Sequence, residues 1–188
     1  MEEITAIIGR LFGHRGLKDA VAARRERLYR LAWSWCRDPA LAEDLAHDTI
    51  DRALASLDDL RDPQRLDVWL TRILVNRYRD HRRRTQPDTG WEDDRECPDC
   101  ERPDNLVERL GLIERTQQAL ARLGEDQRQV ITLVDLEGFS YAETARILGV
   151  PTGTVMSRLS RARQSLRRQL QDHQPGQREG RVIPLRKG

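Results

Sequence analysis

Two sets of side chains recur at helical spacing with the donors needed to hold a polyanion. Arg72, Asn76, Arg79 and Arg83 fall at i, i+4, i+7 and i+11, inside residues 72–84, which hold six arginines against one acid, Asp80. On a helix rising ~1.5 Å per residue they form a stripe about 16 Å long, enough to track several nucleotides. Arginine only donates, whereas the Asn76 amide donates and accepts, so the stripe suits phosphates plus at least one base edge. Trp69 and Tyr78 border it, and each either stacks on unpaired bases or packs into a core. The second set is Thr154, Ser157, Arg158, Ser160, Arg161, Gln164 and Arg168, in a segment where five arginines stand between Val155 and Arg168 without one acid. Arg158 and Arg161 suit bidentate contact with guanine, worth ~1–3 kcal/mol of discrimination each. Arg163, Arg167 and Arg168 suit phosphates. A third set is acidic: Asp44, His47, Asp48 and Asp51, at i, i+3, i+4 and i+7. It reads either as a solvated face or as a docking surface for a basic partner helix, which would relieve the self-repulsion of clustered like charge.

The elements that position these sets are helices. Leu28, Leu31, Ala32 and Trp35 mark a helix over 24–37, stopped by Asp38-Pro39, and Leu45, Ala46, Ile50, Ala53, Leu54 and Leu57 mark a second over 41–57, with the acidic stripe opposite. A third, over about 65–84, buries Leu66, Trp69, Leu70, Ile73 and Leu74 and carries the first basic stripe. Farther on, Leu106, Leu110, Ile113, Leu120 and Leu123 predict one helix, and Val130, Ile131, Leu133, Val134 and Leu136 another that ends near Gly138. Ser140-Tyr141-Ala142-Glu143 has the capping-box pattern, Gly149 stops the short helix it starts, and Pro151 bars continuation. The next helix turns Val155, Leu159, Ala162, Leu166 and Leu170 inward. Capped helix, turn and basic helix together spell a helix-turn-helix whose second helix meets base edges in a major groove.

The fold class expected is all-α: two small helical domains joined by an acidic flexible linker, the C-terminal one containing the helix-turn-helix. The expected parts are an extension over 1–22, a first domain over 23–85, a linker over 86–104, a second domain over 105–171 and a tail over 172–188. Within 85–104 eight acids, three prolines and two arginines accompany Trp91, the only large apolar residue, which is too little to offset ordering entropy. The tail is expected to fray. Ile4, Ile7, Ile8, Leu11 and Phe12 predict a short amphipathic helix that packs on the protein, with a membrane-surface role as the alternative.

Composition excludes several classes. The 33 basic and 31 acidic residues nearly cancel to +2, so electrostatic function must come from segregation, and all the basic residues except Lys18 and Lys187 are arginines, the fork that suits phosphate and base edges. No stretch approaches the ~20 apolar residues of a membrane span and no secretory pattern opens the chain, so no membrane insertion and a cytoplasmic location are expected. Three cysteines do not make a disulfide scaffold. Cys97-Pro98-Asp99-Cys100 is half of a zinc or redox motif that only Cys36 and scattered histidines could complete, so incidental thiols are the default and no metal or cofactor is expected. Paired carboxylates in a pocket, a phosphate-binding glycine loop and an activated nucleophile are all missing, which argues against an enzyme.

Three segments together resemble the extracytoplasmic-function (group four) sigma factors of bacterial RNA polymerase. They are Ala42-Glu43-Asp44-Leu45-Ala46-His47-Asp48-Thr49; Val68-Trp69-Leu70-Thr71-Arg72-Ile73-Leu74-Val75-Asn76 with Asp80 and Arg82-Arg83; and Gly138-Phe139-Ser140-Tyr141-Ala142-Glu143-Thr144-Ala145 through Gly153-Thr154-Val155-Met156-Ser157-Arg158-Leu159-Ser160-Arg161-Ala162-Arg163. The resemblance implies a first domain that grips the clamp helices of the β′ subunit through Asp44, His47, Asp48 and Asp51. That domain would melt the minus-ten element, with Trp69, Arg72, Asn76, Arg79 and Arg83 on single-stranded DNA. It implies a second domain that reads the minus-thirty-five duplex through Thr154, Ser157, Arg158, Arg161 and Arg168, contact with the β flap, and an anti-sigma partner. Met156 stands where the family usually has a basic residue, and His47 where glutamine is common. The alternative is a helix-turn-helix regulator that binds operators without being a polymerase subunit.

Overall fold

The computed structural model describes residues 13–85 and 112–171. The expected N-terminal helix, the acidic linker with Cys97 and Cys100, the positions Leu106 and Leu110, and the tail lie outside the described residues. Eight α-helices and no strand occur among those described: α1 (His14–Ala22), α2 (Arg25–Cys36), α3 (Pro39–Ala55), α4 (Leu66–Thr85), α5 (Leu112–Ala121), α6 (Glu125–Ile131), α7 (Tyr141–Leu148) and α8 (Thr152–Gln171).

Local chemistry sets most boundaries. Asp38 caps α3, its carboxylate accepting from the amides of Ala40 at 2.9 Å and Leu41 at 3.2 Å, and Pro39 takes the first position, where a missing N–H costs nothing. Before it, α2 closes on Arg37 at φ 58, with the guanidinium 4.4 Å from the centre of the Trp33 ring. The capping box of α7 forms as its residues predict: the Ser140 hydroxyl accepts from the Glu143 amide at 3.2 Å while the Glu143 carboxylate accepts from the Ser140 amide at 2.9 Å. Gly149 ends α7 at φ 68, a conformation open to a residue without Cβ.

One expectation changes shape. The helix read through Leu136 is α up to Ile131 and then a single π turn over Thr132–Leu136, closed by the Glu137 amide donating to the Thr132 carbonyl at 3.0 Å. The wider turn rotates the chain, so Leu133 is buried while Leu136 is 60% exposed instead of packing with Val130 and Ile131.

In the first half α2, α3 and α4 pack on one another around Trp35 and Tyr78, whose ring centroids lie 5.8 Å apart. In the second half α6 and α7 pack on α8, with Val130, Ile147, Leu148, Val155 and Leu159 inside. The halves lie against each other, α4 touching α7 and α2 touching α5 and α6, so their buried apolar side chains form one continuous cluster.

Candidate nucleic-acid and polymerase interfaces

On α3 the apolar side faces α2 and α4, and Asp44, His47 and Asp51 stand exposed on the other. The His47 imidazole lies 3.5 Å from the Asp51 carboxylate. Asp48 differs: it is half-buried, pairs with Arg77 of α4 and lies 3.5 Å from Arg52. The acidic stripe is therefore three residues long at the surface, with its fourth member turned toward α4.

The α4 stripe also divides. Arg72, Asn76 and Arg83 are exposed, and Arg83 pairs with Asp80, which also takes a hydrogen bond from Arg77 at 3.2 Å. The hydrogen bond from Arg83 holds the Asp80 carboxyl below the usual range, so this acid stays ionised among the arginines. Arg79 turns away and donates to the carbonyl of Leu148, the last residue of α7, at 2.8 Å. A cation there answers the negative end of the α7 dipole, and burial lowers the guanidinium's own pKa. Trp69 is half-buried at the rim of the core. Tyr78 is inside it, its hydroxyl donating to the Trp35 carbonyl at 3.4 Å, and burial pushes its pKa well up. Of the two aromatics, core packing thus claims Tyr78, and only Trp69 keeps an open edge.

The outward face of α8 carries Ser157, Ser160, Gln164 and Arg168, all exposed, with Thr154 and Arg161 half-buried at its sides. Ser157 donates to the Thr154 carbonyl at 3.0 Å. Arg158 lies 2.6 Å from Asp126 at the start of α6, with 13% of its side chain exposed. Arg163 makes a two-pronged pair with Asp135 of the π turn, 3.0 and 2.5 Å, which raises its pKa. Sequence spacing puts Arg158 and Arg161 on equal terms, and it is Asp126 on α6 that draws Arg158 to the side of the helix.

Arg128 is the principal residue that pattern reading misses. Its guanidinium donates to the carbonyls of Leu120 at 3.1 Å, Ala121 at 2.7 Å and Leu123 at 2.8 Å, and across to Trp35 at 2.7 Å, so one side chain caps the ends of α5 and α2. Arg27 of α2 likewise reaches Asp67 at 2.9 Å and Glu137 at 2.5 Å and lies 5.3 Å from the centre of the Phe139 ring. Arg82 meets Glu125 at 3.1 Å, and burial raises that carboxyl's pKa. Nothing in the local sequence distinguishes these arginines from solvated ones, because their partners lie across a turn, as Leu120, Ala121 and Leu123 do for Arg128, or far along the chain.

Among the described residues no helix is long and apolar enough to cross a membrane, and no group of three or more His, Cys, Asp or Glu side chains is placed to hold a metal ion. Residues 20–87 match the family model described as sigma-70 region 2, and residues 113–166 match that of sigma-70, region 4. The ECF RNA polymerase sigma factor SigW of Bacillus subtilis is 30% identical over 165 residues, covering 82% of this chain and 88% of that protein. SigM of Mycobacterium tuberculosis is 36% identical over 161 residues, covering 84% and 79%. Among solved structures, the sigma factor RpoE of Bartonella quintana, in complex with the anti-sigma factor NepR, is similar at a TM-score of 0.63 and 31% identity, covering 84% of this chain and 98% of that one.

Proposed function

The chain belongs to the extracytoplasmic-function sigma factors, which bind core RNA polymerase and direct promoter recognition and transcription initiation, and from that membership we propose how its surfaces divide the work. The exposed acids of α3, Asp44 and Asp51, with His47 between them, dock on the clamp helices of β′, and Asp48 supports them from its pair with Arg77. Arg72, Asn76 and Arg83 hold the displaced single strand, and Trp69 offers the rim of the core as a stacking edge. Thr154, Ser157 and Arg161 face the minus-thirty-five duplex, Arg168 adds a phosphate contact, and Arg158 is braced by Asp126 at the side of the helix. The residues fall into a region 2-like unit over 23–85 and a region 4-like unit over 105–171, the second of which also meets the β flap. The protein works in the cytoplasm, where the polymerase is, as a non-catalytic subunit.

The observation that carries this division is the back-to-back placement of α3 and α4: acids face outward from one and a basic stripe from the other, so one small core offers a protein-docking face and a nucleic-acid face. Arg79 belongs to the basic stripe by spacing, yet here it is committed to the Leu148 carbonyl. Full use of that stripe requires the halves to part. The closed packing is accordingly the form that an anti-sigma partner would hold, a reading supported by the likeness to a sigma factor captured with one. In vitro transcription with core polymerase on a pool of genomic promoters tests the scheme. Charge reversal on α3 should weaken core association strongly, and alanine at Arg161 should leave association intact while relaxing promoter choice. Equal losses in both assays would defeat the division.

A further inference from the structure

A cavity of about 330 Å³ opens between the α5–α6 turn and the C-terminal half of α8. Arg122 and Gln127 line one wall, and Arg161, Gln164 and Arg168 the other. Among the described residues no acidic and no aromatic side chain lines it. Arg122 and Arg168 bring guanidinium groups to opposite walls of this small space, and a bound anion would convert their mutual repulsion into attraction. The amides of Gln127 and Gln164 add donors. Without an aromatic face or a broad apolar wall the space does not suit a nucleobase, so the chemistry it selects is phosphate.

The turn that presents Arg122 is held from behind. Arg128 ties down the carbonyls of Leu120, Ala121 and Leu123 on both sides of it, so Arg122 projects from a fixed backbone. Arg128, Arg158 and Arg163 are each engaged by a carbonyl or a carboxylate. Among the described residues the Arg122 and Arg168 side chains make no such bond. Arg161 and Arg168 lie two turns apart on the outward side of α8, about 10 Å along its axis, continuous with the face assigned to the duplex.

We propose that this cavity seats backbone phosphate of the promoter duplex beside the bases met by the N-terminal half of α8, making Arg122 a DNA contact outside the helix-turn-helix. The proposal rests on the assignment of α8 to duplex DNA. Its source is the strand that α8 already faces, because Gln164 and Arg168, which line the cavity, stand exposed on that same face.

The test uses the full chain assembled with core polymerase on a promoter duplex. Single phosphates flanking the minus-thirty-five element are replaced one at a time by neutral methylphosphonate. Wild type should lose affinity several-fold at one or two adjacent positions, and Arg122→Ala should be indifferent at those positions. Between about 50 and 200 mM salt the affinity of Arg122→Ala should fall about 3.5-fold less than that of wild type, the share of one phosphate contact, while its ranking of base substitutions stays the same. Arg122→Lys should restore most of the salt response, and thermal melts establish that the variants fold.

Sequence-dependent binding with an unchanged methylphosphonate map in Arg122→Ala overturns the cavity assignment alone. Indifference of wild type to the duplex sequence overturns the assignment of α8 and the cavity with it. Inorganic pyrophosphate and ATP serve as soluble probes. A saturable, Arg122-dependent rise in melting temperature with either one would make this a soluble-anion site and overturn the backbone assignment.

Discussion

The two halves weight arginine differently, although Arg77, Arg79 and Arg82 of α4 also reach groups on other elements. On α4 the cations at 72 and 83 remain at the surface, and where an acid joins them, as Asp80 does, it lies on the same helix and stays ionised. On α8 and its neighbours Arg128, Arg158 and Arg163 reach carbonyls or carboxylates on other elements. The difference follows from size and packing. Three long helices around Trp35 and Tyr78 hold the first half together by apolar burial, whereas the second half packs three short helices on α8, and their free ends need capping. A run of arginine therefore marks a nucleic-acid surface only after subtraction of those that the fold itself requires.

The largest expected effect tests the first half's surface. Asp44→Arg with Asp51→Arg should weaken core polymerase association at least about 100-fold, since like charge facing a basic helix costs several kcal/mol. Both side chains are exposed, so the melting temperature should hardly move, and an unchanged affinity in a fluorescence titration would remove the acidic face from the interface. Next comes the structural arginine of the second half. Arg128→Ala strands carbonyls at two helix ends and should destabilise the protein by about 3 kcal/mol in denaturant titration. Arg128→Lys should recover only part of that, because a point ammonium cannot span four acceptors. A loss below half a unit would mean that water replaces the guanidinium cheaply.

A finer contrast separates two arginines that spacing treats alike. Arg161→Ala should cost ~1–3 kcal/mol of discrimination between promoter sequences with little change in stability. Arg158→Ala should instead lower stability, as it leaves Asp126 without that partner, and Asp126→Ala should share the defect. If Arg158→Ala alone relaxes sequence choice at full stability, the pair with Asp126 opens on DNA. The smallest effect concerns the α7 cap. Ser140→Ala should cost ~1 kcal/mol at neutral pH. Hydrogen bonds from Ser140 hold the Glu143 carboxyl below the usual glutamate range. Its contribution is thus present above that range and fades as pH falls through the lowered value. The gap between Ser140→Ala and wild type should narrow in acid, and a gap independent of pH would show that Glu143 does not take part.

The helices, the capping box, the Gly149 stop and the helix-turn-helix were legible because each depends on residues a few positions apart. Asp44, His47 and Asp51 were legible as a surface for the same reason: an amphipathic period names the outward side. Asp48 and Arg79 share that period, but each sits at the edge of its stripe, where a neighbouring helix decides which way the side chain turns. Leu136 was misplaced because one π turn shifts the period that assigns faces. Tyr78 looked available for stacking because its neighbours are basic, and only the packing of Trp35 against it settles the matter.

What the chain dictated alone was the helical character of the segments flanking the linker, the polarity of their faces and the motif order that joins it to its family, all consequences of short-range sterics, hydrogen bonding and apolar periodicity; α1 (His14–Ala22) was not among the helices it announced. What the tertiary structure decided was the fate of individual charges: Arg128 as a cap for two helices, Arg158 as a partner of Asp126, Arg79 bonded to α7, and Arg122 brought to the wall of a cavity with Arg161 and Arg168. A guanidinium can satisfy its donors equally well on a carbonyl, a carboxylate or a phosphate. Which one it meets depends on distances between segments remote in sequence, and folding alone fixes those.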